Sequence, residues 1–348
     1  MVTIRDVAKE CGLSATTVSM VLNDAPLATY IPETTKKRIF YVAEEMGYQP
    51  NPFAQALRSR RSHTIGVMVP DIADPYCAQI LRGIEKSFSR SSYLPFLVDI
   101  QNNGARFKKY LNVLLARRVD GLIILANSLS FETELLNVPE NRKIPAVILG
   151  REPGTDTLSW VATDHEVGTR QALQHLYELG HRKIAFIRGP KMIVDSLQQW
   201  SGICSFAAAS GLELDPRLVV TLSDPFSSYE AGYERTKELL ALKIPFTALV
   251  AFDDMTAFGA IRALISSGLR VPQDCSVIGF DDIPAAAFYN PALTSVREHM
   301  ESLASMGAEI LTEAIRAHRK KATVSPVQRK IKPELIVRES TAAPPPGR

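Results

Sequence analysis

The sequence has no apolar run long enough to cross a membrane, and its cysteines are few. Its longest apolar runs, at residues 121–126 and 248–252, fall far short of the roughly 20 residues that a membrane helix needs. The four cysteines lie far apart, without the paired spacing of zinc or redox motifs. The opening residues MVTIRDVAKE are charged and contain no apolar signal region. We therefore expect a protein of the reducing cytoplasm with no membrane partner.

Motifs of common enzyme classes are missing as well. The sequence has no phosphate-binding glycine-rich loop, no HExxH and no GxSxG, and its six histidines include no clear metal-binding pair. A dehydrogenase needs a glycine fingerprint after an early strand, and residues 70–75 lack it. We therefore expect no enzymatic activity, no catalytic residue, no cofactor and no metal.

An excess of charge of one sign is also absent, since the net charge of the 348 residues is only +3. Residues 1–62 carry eight basic and six acidic side chains, a balance that by itself does not establish nucleic-acid binding. The length predicts two or three folding units. The arrangement of residues must therefore indicate the function.

The first 50 residues predict three short helices. Thr3 is placed to cap a helix to about residue 10, and Gly12 provides a tight turn. Ser14 then caps a second helix, Ala15–Leu22, and a third is predicted over residues 33–46. This spacing is typical of a helix-turn-helix, whose second helix enters the major groove. An ordinary three-helix bundle is the alternative. On the second helix we place Thr16, Ser19 and Met20 opposite the apolar face.

Residues 48–63 predict a basic hinge between this head and the rest of the chain. Asn51 and Pro52 suit a helix start, but the helix that follows is too short to be stable alone in water. Arg58, Arg60 and Arg61 suggest that it folds against a polyanion. A solvated basic linker is the alternative.

From residue 64 onward, short β-rich runs alternate with helical stretches. Nine runs extend from residues 64–70 to 276–280, and helices are predicted from 75–91 to 300–317. The alternation predicts parallel sheets flanked by helices, in two lobes rather than one sheet. The predicted fold class is an all-α helix-turn-helix head plus a two-lobed α/β domain. We place the head at residues 1–50, the hinge helix and linker at 51–63, the two-lobed domain at 64–340 and a disordered tail at 341–348.

Polar residues follow several predicted strands, at the sheet edge where open parallel sheets bind ligands. They are Asp71, Asp74, Tyr76, Asn127, Arg151, Asp164, Asp253, Asp254, Asp281 and Asp282. Two facing lobes would bring these groups into one cleft. Any single aspartate could instead cap a helix, which is the interpretation that we favour for Asp254.

Together these features resemble the lactose/galactose repressor (LacI/GalR) family over essentially the whole chain. The matching segments include TIRDVAKECGLSATTVSMVLND, LGHRKIAFIRGP and SGLRVPQDCSVIGFDDIP. The second domain also resembles periplasmic sugar-binding proteins, which have an export signal and no DNA-binding head. The resemblance implies a sequence-specific transcriptional regulator, a repressor, that is controlled by a small molecule bound between its lobes. A solute-binding protein without a regulatory role is the alternative.

The resemblance also implies a mechanism. A homodimer places two recognition helices on a near-palindromic double-stranded operator in the nucleoid. The hinge helices pair in the minor groove, where Leu57 wedges between bases. An effector changes the angle between the lobes and so controls hinge folding. The chain end lacks the heptads of a tetramer, so we expect a dimer.

The expected contacts fall into two sets. Those to DNA are Thr3, Ser14, Ala15, Thr16, Thr17, Ser19, Met20, Asn23, Tyr48, Asn51, Ala54, Gln55, Leu57 and Arg58. Those to the effector are Asp74, Tyr76, Cys77, Asn127, Asp195, Gln199, Trp200, Phe226, Asp253 and Asp281.

Some positions depart from the family pattern. Met20 can lie against a thymine methyl group, or it can pack on the adjacent helix. Gln199 stands where we expect an arginine, and Trp200 can stack on a ring or belong to the core. A pocket rich in aspartate and poor in arginine fits a hydroxyl-bearing effector, such as a sugar or other polar metabolite, or a cationic one. The loop of residues 25–30 is longer than is typical.

Overall fold

The computed structural model describes residues 2–23, 25–49, 61–126, 144–223, 228–322 and 324–346. The chain divides into two compact units, residues 1–62 and 63–348. Within the described residues, no helix has the length and apolarity that crossing a membrane requires.

In its described residues, the first unit forms a head of three α-helices, as predicted. Its helices are α1 (Ile4–Cys11), α2 (Ala15–Leu22) and α3 (Glu33–Glu45). Val7, Val18 and Ile39, one from each helix, are fully buried in its core. This shared apolar contact holds α2 in place, because helices of eight residues are not stable alone in water.

Local sequence explains the turns of the head. Gly12 adopts a left-handed backbone with φ 64° at the end of α1, a conformation that a side chain would strain. The Ser14 hydroxyl then accepts a hydrogen bond from the backbone N–H of Thr17 (3.1 Å) and caps α2. The long loop after α2 forms a short 3-10 helix, Pro26–Tyr30, which opens on proline.

The second unit contains two six-stranded sheets, each flanked by helices on both faces, so the predicted two-lobed architecture is confirmed. The strands are β1 (Thr64–Val69), β2 (Leu94–Asp99), β3 (Gly121–Leu125), β4 (Ala146–Leu149), β5 (Ser159–Thr163), β6 (Ile184–Arg188), β7 (Val219–Thr221), β8 (Ala248–Ala251), β9 (Ser276–Asp281), β10 (Thr294–Arg297), β11 (Gln328–Ile331) and β12 (Glu334–Ile336). The helices are α4 (Pro75–Phe88), α5 (Gly104–Ala116), α6 (His165–Glu178), α7 (Val194–Ser210), α8 (Tyr229–Ala241), α9 (Asp254–Ser266) and α10 (Met300–Arg319).

Lobe 1 is built on the sheet with strand order β11-β5-β4-β3-β1-β2, which is parallel throughout. Helices α4 and α10 cover one face and α5 covers the other. Strand β3, Gly-Leu-Ile-Ile-Leu, is buried at every position. Parallel strands that are covered on both faces have continuous apolar runs in their sequence. This is why β3 was predictable from the sequence.

Lobe 2 is built on the sheet with strand order β12-β10-β9-β8-β6-β7, in which β12 alone is antiparallel to its neighbour. Helices α6 and α7 cover one face, and α8 and α9 the other. The chain passes between the lobes after β5, after β10 and after β11. These crossovers lie together, because a Cβ at Gly168 would touch both Val296 and Pro333.

The boundary expected at residue 340 is wrong, because ordered residues follow it. The carbonyl of Ala342 accepts a hydrogen bond from His181 Nε2 (2.8 Å), and its N–H donates to Ser276 Oγ (3.0 Å). Thr341 Oγ1 lies 2.9 Å from His175 Nε2. These residues therefore belong to lobe 2 rather than to a disordered tail.

Candidate functional site

The head presents part of α2 at its surface. Thr16 is exposed, and Ala15, Thr17 and Met20 are half-buried. Met20 does not belong to the buried core that α1, α2 and α3 share. Thr16, Thr17 and Met20 are therefore at least partly accessible on α2, whereas Ala15 also packs against the core of the head.

The placement of Ser19 on the free face of α2 is wrong. Only 6% of Ser19 is exposed. The side-chain amide of Asn23 folds back over the last turn of α2 and donates to the Ser19 carbonyl (2.7 Å) and hydroxyl (3.2 Å). The two residues expected at the DNA therefore contact each other and end the helix.

Other predicted DNA contacts also have structural roles in the head. The Thr3 hydroxyl donates to Asp6 Oδ2 (2.7 Å) and caps α1, as the Ser14 hydroxyl caps α2. Tyr48 is half-buried against the apolar core, and this burial raises the pKa of its hydroxyl. Five predicted hinge contacts lie outside the described residues: Asn51, Ala54, Gln55, Leu57 and Arg58.

A second group of predicted residues meets where the two lobes face each other. Asp74 and Tyr76 come from the start of α4 in lobe 1. Asp195 lies on α7, Asp253 follows β8 and Asp281 ends β9, all in lobe 2. The charges of Asp195 and Asp281 act on the Tyr76 hydroxyl, and those of Asp195 and Asp253 act on Asp74. We call this group the acidic cleft.

Burial and like charge both disfavour the ionised forms of Asp74 and Asp281 in the acidic cleft. Burial, followed by the charges of Asp253, Asp71 and Asp195, raises the pKa of Asp74 to about 7. Burial also raises the pKa of Asp281 well above its ordinary value, and neighbouring carboxylates raise it further. Among the described residues, no group of three or more histidine, cysteine or acidic side chains is arranged to hold a metal ion.

A buried ion triad that the sequence did not reveal stands beside this cleft. Nε2 of His165 lies 3.3 Å from Asp195 Oδ1, and Nδ1 lies 3.2 Å from Glu298 Oε1. Burial lowers the pKa of His165, but Glu298 and Asp195 outweigh it, so that the pKa is raised well above its ordinary value. His165 and Glu298 stand on separate crossovers. The charged imidazole therefore ties both crossovers to α7.

Three further residues were predicted to contact the effector, namely Cys77, Asn127 and Phe226. Cys77 is fully buried in the apolar core of lobe 1, so its assignment as an effector contact is wrong. It lies one position beyond Tyr76 on α4, and this turns its side chain toward the sheet. Asn127 and Phe226 lie outside the described residues.

Helix α7 forms a wall of lobe 2 beside the acidic cleft. Gln199 is buried, and its Nε2 donates to the carbonyl of Phe252 (3.2 Å). The ring of Trp200 packs edge-on against Phe186 in the apolar core and carries the Arg188 guanidinium 4.1 Å from its centroid. Trp200 therefore belongs largely to the packing of the lobe.

The helix cap predicted at Asp254 is wrong, because the preceding aspartate provides it. Asp253, not Asp254, caps α9 by accepting from the backbone N–H of Thr256 (2.7 Å). Asp254 is fully buried and accepts from the Ser295 hydroxyl (2.5 Å) and the Ile283 N–H (2.8 Å). Asp254 thus joins α9 to β10 and to the segment that follows β9 inside lobe 2.

Comparison with known proteins agrees with both units. Residues 3–51 match the family model described as bacterial regulatory proteins, lacI family. Residues 173–341 match the model of the periplasmic binding protein-like domain. The HTH-type transcriptional repressor PurR of Haemophilus influenzae (strain PittEE) is 34% identical over 342 residues, which cover 98% of each chain.

Solved structures extend the likeness to the fold. The Lac repressor dimer bound to operator and the anti-inducer ONPF matches with a TM-score of 0.86 and 28% identity, over 98% of this chain and 99% of that one. The complex of the transcriptional regulator CelR with cellobiose matches with a TM-score of 0.72 and 29% identity, over 98% and 100%. Because the relatives are transcriptional repressors, the enzyme and the plain solute-binding protein are disfavoured. The chain belongs to the LacI family and is a DNA-binding transcriptional regulator with an effector-binding domain.

Proposed function

We propose that this regulator acts as a cytoplasmic homodimer on a near-palindromic operator in the nucleoid. Residues 1–50 form the DNA-binding head, 51–63 the hinge, and the chain from residue 64 to at least residue 342 the effector and dimerisation domain. The observation that carries the proposal is the capped helix α2, with Thr16 exposed at its N-terminal end. The Lac repressor dimer, bound to its operator, supports the same arrangement.

Exposed apolar side chains support a dimer of the second unit. Leu94, Phe96 and Leu97 on the edge strand β2 remain 67%, 38% and 36% exposed, and Phe288 in lobe 2 is 90% exposed. A solvated sheet edge that carries large apolar side chains invites association. A second copy of this chain is the partner that covers these residues in our proposal. A tetramer in light scattering would contradict it.

The effector of this proposal is a hydroxyl-bearing small molecule bound in the acidic cleft. Carboxylates from both lobes and the Tyr76 hydroxyl are suited to accept hydrogen bonds from hydroxyl groups. CelR, which is structurally similar, binds the sugar cellobiose. Closure of the lobes on the ligand changes hinge folding and thereby the affinity for the operator.

The hinge provides the direct test. Leu57→Ala should weaken binding of the full-length protein to its selected operator by about a hundredfold, since a wedge that opens a base step contributes a few kcal/mol. Fluorescence anisotropy measures the affinity, and its steep salt dependence checks the phosphate contacts. Leu242→Ala, at a half-exposed leucine in lobe 2, is the matched control. Equal operator affinities of the two variants would refute the wedge.

A further inference from the structure

Asp74 and Asp281 set like charges against each other across the acidic cleft. Asp74 caps α4 in lobe 1 and accepts from the N–H of Tyr76 (2.9 Å). Asp281 ends β9 in lobe 2. The charge of Asp74 acts on Asp281, although they belong to different lobes. The two lobes therefore place on opposite sides of the cleft two acidic side chains, of which an ionised Asp74 disfavours the ionisation of Asp281.

The backbone at Asp281 indicates that its position is imposed by the fold. Its φ of 97° lies in a region that side chains rarely adopt, and Asp282 follows with φ 53°. Such strain is concentrated at ligand sites, where the surrounding structure overrides local preference. Asp282 itself is neutralised, because Arg297 and Arg338 contact its two oxygens at 2.7 and 2.6 Å.

Nearby carboxylates are already engaged. Asp195 and Glu298 share the His165 imidazole, and Asp254 is held by a hydroxyl and a backbone N–H. Asp253 accepts from the start of α9. Asp74 is engaged as well, because its Oδ1 accepts from the Tyr76 N–H, so Asp74 Oδ2 and the Asp281 carboxylate are the acceptors to consider for a ligand.

The Tyr76 hydroxyl is an independent sign of a ligand. Tyr76 is only 8% exposed, and its buried hydroxyl has no hydrogen-bond partner in the described structure. The charges that act on it, those of Glu298, Asp195 and Asp281, place it against the acidic cleft. Gly150 leaves space beside it, since even a Cβ there would lie 3.6 Å from the hydroxyl oxygen. A buried polar atom without a partner calls for a bound group.

We propose that the effector carries an ammonium group that binds between Asp74 and Asp281, with the Tyr76 hydroxyl as a further acceptor. The inference rests on the proposed function and specifies the chemical class of its effector. An ammonium has three donors and no acceptor, and it matches a site of two carboxylates and one hydroxyl. By replacing repulsion across the cleft with attraction to both lobes, it favours the closed arrangement.

The protonation state of Asp74 distinguishes an ammonium ligand from a neutral hydroxyl-bearing one. The acidic groups that face Asp74 are Asp71 on its own loop and Asp195, Asp253 and Asp281 from lobe 2. They and burial hold the pKa of Asp74 at about 7, so Asp74 carries a proton part of the time near neutral pH. A cation binds the ionised form and expels that proton, whereas a neutral hydroxyl does not require its loss.

The experiment uses the full-length protein and matched probes that differ in one charge. The pairs are 6-amino-6-deoxyglucose against glucose, glucamine against sorbitol, and 4-amino-1-butanol against 1,4-butanediol. Thermal shift identifies binding, and calorimetry in two buffers of different ionisation enthalpy counts the protons released. We expect an amine to bind more tightly than its neutral partner, and about tenfold more tightly at about pH 8 than at about pH 6 as Asp74 ionises.

Asp74→Asn and Asp281→Asn should each weaken amine binding at least about tenfold, because each removes one of two charges at the site. Asp156→Asn, at an exposed aspartate of lobe 1, is the matched control and should bind as the natural protein does. Equal binding of an amine and its neutral partner, binding indifferent to Asp281→Asn, or no response to any amine at millimolar concentration would each overturn the inference. The operator test with Leu57→Ala involves no amine, so the proposed function and this inference can fail separately.

Discussion

Replacing His165 by leucine tests whether the buried triad is a charged unit. The side chains of His165 and Glu298 are each 2% exposed, and that of Asp195 is 11% exposed. Leucine fills similar space but leaves both carboxylates without their cation. Removing one partner of a buried ion pair costs about 3–5 kcal/mol, because the remaining charge is buried and uncompensated. We therefore expect His165→Leu to lower the free energy of unfolding by about this amount.

The contribution of His165 to the free energy of unfolding should change with pH in a direction that its pKa determines. The pKa of His165 is raised above its ordinary value of 6.5. Its stabilising contribution is complete below that value and is lost as pH rises through the raised pKa. The stability difference between the natural protein and His165→Leu should therefore be largest in mildly acidic buffer and shrink in alkaline buffer.

Urea denaturation, followed by tryptophan fluorescence, measures the difference. The triple variant His165→Leu, Asp195→Asn, Glu298→Gln removes the stranded charges with little change of volume. It should recover most of the lost stability, and this separates charge from packing. A loss below about 1 kcal/mol for His165→Leu, a value typical of exposed pairs, or no recovery in the triple variant, would refute the charged triad.

Three further predictions concern single positions. Ser14→Ala should destabilise the head by about 1 kcal/mol through loss of the α2 cap, seen as faster hydrogen exchange in α2; unchanged exchange would contradict the cap. Gly259→Ala should cost about 3 kcal/mol in urea denaturation, because its Cβ would overlap the Tyr229 carbonyl and force α8 from α9; a neutral result would mean that these helices separate easily. Asp74→Asn keeps the cap of α4. Above neutral pH it should stabilise the ligand-free protein by about 1–2 kcal/mol, a free energy reduced from the full pKa shift because Asp74 is partly exposed. Since the pKa of Asp74 is raised to about 7, the natural protein should lose stability as pH rises from about 4 toward 7, and the variant should lose less.

Elements with a strong local signal were predictable from the sequence. The bounds of α2 follow from Ser14 before it and Asn23 after it, and buried parallel strands such as β3 stand out as apolar runs. Strands β10, β11 and β12 were missed, because they have three or four residues and no continuous apolar run. Their existence depends on pairing with strands that are distant in the sequence.

The acidic cleft was predictable only in part. Asp74, Asp253 and Asp281 each follow a strand, and the topology of parallel sheets brings such positions together. The triad was not predictable, because Glu298 lies more than a hundred residues after His165 and follows a strand that was itself missed. Cys77 was misassigned because one step along a helix turns a side chain by about 100°, away from the cleft and into the core.

Ser340 joins two neighbouring strands of lobe 2 through its side chain. The Ser340 hydroxyl accepts from the N–H of Thr294 (2.8 Å) and donates to the carbonyl of Val277 (2.6 Å), joining β10 to β9. Because β9 ends in Asp281, the hydrogen bond from Ser340 to Val277 stabilises the strand that positions this carboxylate. Replacing Ser340 by alanine should therefore loosen the stretch that ends in Asp281, while α1, α2 and α3 keep the core of their own compact unit.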